Sequence, residues 1–397
     1  MRIGIAGAGM GGLAIASMLA RDGHHVVVHD RMVRPAPVGS GFVLQPTGLA
    51  VLDLLGLRTA VEARGSRIDR MLGLACPSQR TVLDVGYPRG AYGVAVQRSA
   101  LFDLLLASAL DAGVVFETSR SVIDVDEGPR RRLLMEDGTT TPPFDLIVDA
   151  MGSGSPLRPD RSRTLPYGAM WATVPWSSGA GFDANTLEQR YFRASRMAGV
   201  LPVGTAHDGA PPMATLFWSV RRDEDPRTDM EAWRAGVHDM WPEASCFASG
   251  AEPIMARYRH HTHRRPAEDG LARIGDSWHA TSPQLGQGAN MALIDALALS
   301  VSLRCSTDAR DALVAYARSR RLHVGFYQAL STVLTPFYQS DSRILPLMRD
   351  HLIAPMLRRR GIVHAMIAAM VTGGVLDPVG RATRIEEVRQ RAAPLPA

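Results

Sequence analysis

Met1-Arg2-Ile3-Gly4-Ile5-Ala6-Gly7-Ala8-Gly9-Met10-Gly11-Gly12-Leu13-Ala14-Ile15-Ala16-Ser17-Met18-Leu19-Ala20 opens the chain and decides its fold. Arg2 to Ala6 reads as a short buried strand, and Leu13 to Ala20 as a helix closed by Gly23. Between them, Gly7-Ala8-Gly9-Met10-Gly11-Gly12 matches the G-x-G-x-x-G fingerprint. Gly7 permits a tight turn, Gly9 lets a pyrophosphate approach the backbone, and Gly12 lets the helix pack close to the sheet. Val26 to His29 forms a second strand. Asp30 ends it about 20 residues beyond the loop, where a carboxylate accepts from a ribose hydroxyl. Arg31, next in sequence, joins the expected cofactor contacts. Strand, glycine loop, helix, strand and terminal acid together describe a dinucleotide site.

A second stretch, from Arg273 to Asp295, reads as a strand end, an acidic turn, a loop broken by Pro283 and a helix starting near Gly288. Gly275-Asp276 presents a carboxylate to polyol hydroxyls. Gly286 and Gly288 let backbone N–H groups come close to a ligand. The helix behind them aims the positive end of its dipole at whatever lies in front. Met291, Leu293, Ile294, Leu297 and Leu299 would bury that helix.

At 397 residues the chain has room for two domains, and 46% hydrophobic with 21% charged residues is a globular composition. Forty-four basic against 39 acidic residues leave +5. The basic runs Arg130 to Arg132 and Arg358 to Arg360 lack aromatic interleaving, so no nucleic-acid partner is expected. Cys76, Cys246 and Cys305 have no metal-ligand or redox spacing, so no metal site is expected and a reducing compartment suits them. Glycines interrupt the apolar N-terminus, unlike a signal peptide, and no later stretch reads as a bilayer span. The expected location is cytoplasmic.

After the second strand, the Gly39-Ser40-Gly41 turn leads into a helix from Leu49 to Leu55 stopped by Gly56. Strand-like runs follow at Met71 to Ala75, Thr81 to Val85 and Val94 to Gln97, then a helix from Arg98 to Ala109 ended by Gly113. Val114 to Thr118, Ser121 to Val125, Leu133 to Met135 and Leu146 to Val148 read as strands. From Trp171 to Tyr258 short alternating runs suggest antiparallel strands, with one helix near Thr228 to Met240. Beyond the second stretch, Ala309 to Phe326, Val333 to Tyr338 and His351 to Thr372 are helical, and the polar tail after Asp377 is expected to fray.

With both motifs in place, the chain resembles the class A flavoprotein monooxygenases, aromatic hydroxylases similar to p-hydroxybenzoate hydroxylase. Their second motif, Gly-Asp-Ala-Ala-His, then Pro, then Gly-x-Gly-x-Asn, stands here as Gly275-Asp276-Ser277-Trp278-His279, Pro283 and Gly286-Gln287-Gly288-Ala289-Asn290. The resemblance runs from Met1 to about Leu303. It implies an α/β fold: a Rossmann-like FAD-binding domain (residues 1–165 and 265–330), an inserted antiparallel-sheet substrate domain (166–264, with strands from about 68–97), and a helical C-terminus (331–397). It also implies FAD held by Gly7, Gly9, Gly12, Asp30, Arg98 and Asp276, with Pro283 at the reacting edge of the ring and Gly286, Gly288, Ala289 and Asn290 near its pyrimidine end. NAD(P)H would reduce the flavin, and O2 would form a C4a-hydroperoxide that hydroxylates an aromatic or polyketide-like small molecule. The family's middle motif, Asp-Gly followed by Ser and Arg, keeps Gly152, Ser155 and Arg158, but Met151 replaces the acid.

No side chain is obligatory for that chemistry, which belongs to the cofactor. Pro283 and Gln45 are the flavin-edge candidates. Phe42, Tyr191, Phe217 and Trp218 are the candidates for the substrate side, with Tyr258 near them. His261 and His263 could share a strand face, but no carboxylate or cysteine joins them, and a solvated basic strand is expected. Two other outcomes share these motifs: a dehydrogenase or reductase acting without oxygen insertion, and a flavin-binding protein without turnover.

Overall fold

The computed structural model describes residues 1–33, 40–127, 130–158, 162–358, 361–376 and 379–380. Gly39 of the expected turn, Arg359 and Arg360 of the second basic run, and all but Val379 and Gly380 of the tail after Leu376 lie outside them.

A six-stranded sheet forms the base, in the order Ala267–Glu268, Leu271–Arg273, Leu146–Asp149, Arg2–Ala6, His25–His29, Val115–Glu117. All pairings are parallel except that of Ala267–Glu268 with Leu271–Arg273. The central strands are largely apolar because both faces are covered, one by helices and the other by Phe144 and the antiparallel pair Val122–Val125 and Leu133–Met135. Helices Met10–Arg21, Arg98–Asp111 and Gly288–Cys305 bury Leu13, Ile15, Leu101, Leu105, Leu293 and Leu297 in one core with Ile3, Ile5 and Val148. Parallel strands end on the same edge, so Gly7, Asp30, Ala150 and Gly275 follow neighbouring strand ends and meet in one crevice.

The last of these helices is 18 residues long with a mean hydropathy of 1.2, enough by length and composition to cross a bilayer, contrary to expectation. It is 67% buried within the protein, where it forms the centre of the core.

A second, seven-stranded sheet runs Ile254–His260, Arg163–Pro175, Met213–Arg221, Arg196–Gly204, Thr186–Phe192, Arg70–Ala75, Thr81–Gly86. It is not wholly antiparallel, because Thr186–Phe192 pairs in parallel with Arg70–Ala75. Gly93–Val96, expected beside those strands, instead joins Phe42–Leu44 and Ser66–Ile68 in a small sheet that links the two larger ones. Helix Met230–Met240 covers one face through Trp233 and Val237, and the short helix Ser245–Ser249, not expected, adds Phe247. Arg58–Arg64 is likewise helical.

Helix Ala309–Tyr338 is continuous. The break expected after Phe326 does not occur, and the domain boundary expected at residue 330 falls inside the helix. Gly325, Ser331 and Thr332 are weak helix formers, but packing of Tyr327 and Ser331 into the interior overrides propensity. The expected helix from His351 to Thr372 is divided: a π-turn at Arg349–Ile353, then Ala354–Arg358 and Ile362–Val371.

Candidate active site

The glycine loop shows which of its residues the chain itself requires. Gly7 has φ +102°, and a Cβ there would fall 2.6 Å from the Ala150 carbonyl oxygen. At Gly12 a Cβ would fall 2.1 Å from the Gly7 oxygen. Gly9 is different: its nearest neighbour would be 3.9 Å away, so the protein leaves open the space that a side chain would fill. The second glycine therefore makes room for something outside the chain. Asp30 follows its strand and accepts the Ala8 N–H at 2.7 Å and the Met32 N–H at 2.9 Å, which sets its carboxylate against the loop. Arg31 is exposed beside it.

Gly275 takes φ +59°, ψ −139°, and its N–H donates to Asp295 at 2.8 Å. This turn carries Asp276, whose carboxylate has no hydrogen-bond partner among the described residues. Burial pushes the Asp276 carboxyl above its ordinary range, against the pull of His279 and Arg98. Burial in turn lowers Arg98, against the pull of Asp276 and Tyr258. The Arg98 Nε is buried without a partner among the described residues, and its guanidinium carbon lies 5.3 Å from the centre of the Phe42 ring. An acceptor and a cation left unsatisfied side by side cost free energy unless a polar ligand completes them.

The helix Gly288–Cys305 begins at the same place. Its first internal bond runs from Met291 N–H to Gln287 O at 2.8 Å, so the N–H groups of Gly288, Ala289 and Asn290 have no partner within the helix. Gly286 sits at φ +61°, and a Cβ there would meet nothing within 4 Å; at Gly288 its one neighbour would be Asp276 Oδ1 at 3.8 Å. Pro283 opens the short 3-10 turn Pro283–Leu285 in front of this end. The side chain of Asn290 serves the protein: Oδ1 accepts the Gln45 N–H at 2.8 Å, and Nδ2 donates to Val43 O at 3.3 Å and Gly286 O at 3.1 Å. Gln45 is held further by Tyr87, whose hydroxyl donates to Gln45 Oε1 at 2.8 Å.

A different acid stands two residues before Met151. Asp149, at the end of its strand, accepts the Met151 N–H at 3.1 Å and the Ser155 hydroxyl at 2.8 Å. Burial raises its carboxyl to about 6, with Met151, Ser155 and Arg273 opposing. Its place at a strand end six residues before Ser155 was the signal in the sequence; the direction of the side chain was not.

Across from the crevice stands one face of the large sheet. Successive strand residues point to opposite faces. Phe217 packs with Tyr191 and Met197, whereas Trp218 belongs to the core under helix Met230–Met240 with Trp233 and Val237. Trp218 is therefore not on the substrate side, contrary to expectation. Tyr191 is buried, and its ring packs against that of Tyr338, tilted by 56° with centres 5.4 Å apart. Two half-buried rings reach toward the crevice instead. Trp171, directly opposite Phe217 in the register, donates its Nε1–H to the Tyr258 hydroxyl at 2.7 Å, and Tyr258 in turn influences Arg98. Trp171 carried no sequence signal beyond strand alternation, because cross-strand register decides its neighbours.

The expected solvated histidine strand is also corrected. His261 is buried, its N–H donates to Ala280 O, and Nδ1 lies 3.0 Å from Ser162 Oγ. Among the described residues no group of three or more His, Cys, Asp or Glu side chains is placed to hold a metal ion.

These groups fit FAD on physical grounds. Among the described residues, no atom fills the space beside Gly9, Gly286 and Gly288, three helix N–H groups are free for an anion or an acceptor, and Asp276 and Arg98 lack the polar partners that a polyol and a heteroaromatic ring would supply.

The sequence profile of the family described as FAD binding domain matches residues 1–327. The chain is 30% identical over 342 residues to the 3-amino-4-hydroxybenzoate 2-monooxygenase of Streptomyces cremeus, covering 81% of this chain and 83% of that protein. It is 26% identical over 340 residues to the FAD-dependent urate hydroxylase of Mycolicibacterium vanbaalenii, covering 81% and 84%. In structure it superposes on a variant of 2-methyl-3-hydroxypyridine-5-carboxylic acid oxygenase with a TM-score of 0.76 at 24% identity, covering 96% and 98% of the two chains. It also superposes on Klebsiella pneumoniae HpxO complexed with FAD and uric acid, with a TM-score of 0.78 at 20% identity, covering 94% and 98%.

Proposed function

The chain belongs to the FAD binding domain family of class A flavoprotein monooxygenases, and from that membership we propose that it hydroxylates a small, electron-rich aromatic or polyketide-like molecule, using NAD(P)H and O2, in the cytoplasm. The observation that carries the substrate class is the pairing of Trp171 with Tyr258 opposite Arg98 and Asp276. Flat apolar faces with a polar edge are what an aromatic ring bearing a hydroxyl or amino group requires. Relatives whose names specify 3-amino-4-hydroxybenzoate, urate and hispidin support the same class.

When bound, FAD supplies hydride acceptance and oxygen activation. The chain's residues bind, orient and shield. Gly9 and Asp30 would hold the pyrophosphate and adenosine ribose, with Gly7 and Gly12 shaping the loop. Asp276 would hold the ribityl hydroxyls, and Arg98 would meet the ring. The free N–H groups of Gly288, Ala289 and Asn290 would stabilise negative charge at the pyrimidine end through direct donation and the helix dipole. Pro283 and the Gln45 loop, fixed by Asn290 and Tyr87, would border the reacting edge. Trp171, Tyr258 and Phe217 would form the far wall that excludes water.

Labelled O2 tests the reading. Screening aromatics for stimulated NAD(P)H oxidation identifies the substrate, which should gain one labelled oxygen while the other leaves in water. A product without label, with the electrons recovered in hydrogen peroxide or a saturated C–C bond, would instead establish a dehydrogenase or reductase.

A further inference from the structure

The family profile ends at residue 327, yet the chain beyond it is tied into the crevice. The tie starts at Asp295, fully buried beneath the Gly275 turn. Asp295 accepts the Gly275 N–H at 2.8 Å and the Arg320 Nε–H at 2.7 Å, and it lies 2.6 Å from His279 Nε2. His279 and Arg320 hold its carboxyl down at about 2, against burial.

Arg320 Nη1 lies 3.1 Å from His323 Nδ1, and His323 Nε2 lies 3.2 Å from the Gly373 carbonyl oxygen. A guanidinium only donates, so Nδ1 must accept and the ring donates Nε2–H to Gly373. Burial and Arg320 favour that neutral form of His323.

The segment reached in this way touches the starts of two helices, Pro46–Leu54 and Gly288–Cys305. The Thr372 carbonyl accepts the Thr47 hydroxyl at 3.3 Å, and the Val371 carbonyl accepts from Gln287 Nε2. Gly373, at φ +75°, fits so closely that a Cβ would fall 2.6 Å from Thr47 Oγ1 and 2.8 Å from Gln287 Oε1. Gln287 immediately precedes the free helix N-terminus at Gly288, and Thr47 lies two residues after Gln45. Just upstream, Tyr327 anchors the same segment by donating to Met370 O at 2.8 Å.

We propose that Val371–Gly373 is a positioning strap of the flavin cradle, held by Arg320 and His323, which fixes Gln45 and the first turn of helix Pro46–Leu54 against the N-terminus of helix Gly288–Cys305. The proposal rests on the FAD reading above and extends it to residues that none of the sequence motifs contains. The strap acts through Gln287 and Thr47: it determines where the helix N–H groups stand relative to the ring. Loosening it should therefore weaken FAD binding and also destabilise the reduced flavin, whose added negative charge depends on that helix end.

The test compares His323→Leu with His323→Gln in the holoenzyme, measuring FAD dissociation by flavin fluorescence and the flavin midpoint potential by dye equilibration. Leu removes both polar contacts, whereas Gln keeps a donor for Gly373. His323→Leu should raise the FAD Kd about tenfold to a hundredfold, on the scale of losing the outer-shell partner of a metal ligand, and make the potential more negative. His323→Gln should stay closer to wild type in both measurements. A leucine variant that melts earlier but keeps wild-type FAD affinity and potential would overturn the proposal. If that variant does not fold, Thr47→Val and Gln287→Met decide, and unchanged FAD affinity in both overturns it equally. Wild-type protein that binds no FAD would refute the flavin reading itself and the strap with it.

Discussion

Replacing Asp149 with asparagine isolates the electrostatic cost of the buried acid beside Met151. The Asp149 side chain is fully buried and its carboxyl is raised from 3.8 to about 6, mainly by burial. A carboxyl displaced that far lowers folded-state stability by about 3 kcal/mol once both folded and unfolded chains are ionised. The sign follows from which state ionises first. As pH rises from about 4, the unfolded chain loses its proton before the folded one, so stability falls until about pH 6 and is flat above. Between pH 8 and pH 5 the wild type should therefore regain on the order of 1–2 kcal/mol from this group alone. Asparagine does not titrate and keeps one of the two acceptor positions, at a cost of about 1–2 kcal/mol that is the same at both pH values. Urea unfolding of the FAD-saturated proteins at pH 8 and pH 5, followed by tryptophan emission, measures the difference between variant and wild type, in which every shared group cancels. Asp149→Asn should be at least as stable as wild type at pH 8 and lose on the order of 1–2 kcal/mol of that relative standing at pH 5. Parallel pH dependence of the two proteins would refute the reasoning and show that Asp149 titrates alike in both states.

Asp276→Ala should weaken FAD retention by about 1–3 kcal/mol, since a buried acceptor for polyol hydroxyls is lost; equal flavin release from both proteins after heating and reconstitution would count against that role. Met151→Asp brings a second carboxylate beside Asp149 and should change the rate of anaerobic flavin reduction by NADPH or NADH. Unchanged rates with both coenzymes would mark Met151 as a packing substitution. Trp171→Leu should uncouple NAD(P)H oxidation from product formation once the substrate is known, whereas Trp218→Leu, on the opposite face of the sheet, should lower the melting temperature and leave coupling intact; the reverse result would reject the assignment of faces.

Much of the base of the molecule was legible in the sequence because its signals are local. Gly7, Gly12 and Gly275 are required by contacts or backbone angles within a few ångströms, and the strand, glycine loop and helix around them follow in sequence. Helix Gly288–Cys305 announced itself through glycines and a dense apolar pattern. By contrast, the pattern broke helix Ala309–Tyr338 after Phe326, because weak helix formers look like an end until packing is known.

What the sequence determined by itself is the dinucleotide crevice and the family: short-range patterns whose geometry the backbone imposes wherever they occur. Only the tertiary structure decided which aromatic residues face that crevice, because strand register puts Trp171 and Phe217 on one side and Trp218 on the other. It also decided that Asn290 spends its side chain on Gln45 and Gly286, that Asp149 accepts from Met151 N–H and the Ser155 hydroxyl, and that His323 reaches Gly373 fifty residues away. Each of those outcomes depends on which buried polar group finds a partner from a distant part of the chain. An unpaired group inside a protein is costly, so the fold settles such pairings by proximity in space, a quantity that one-dimensional spacing does not contain.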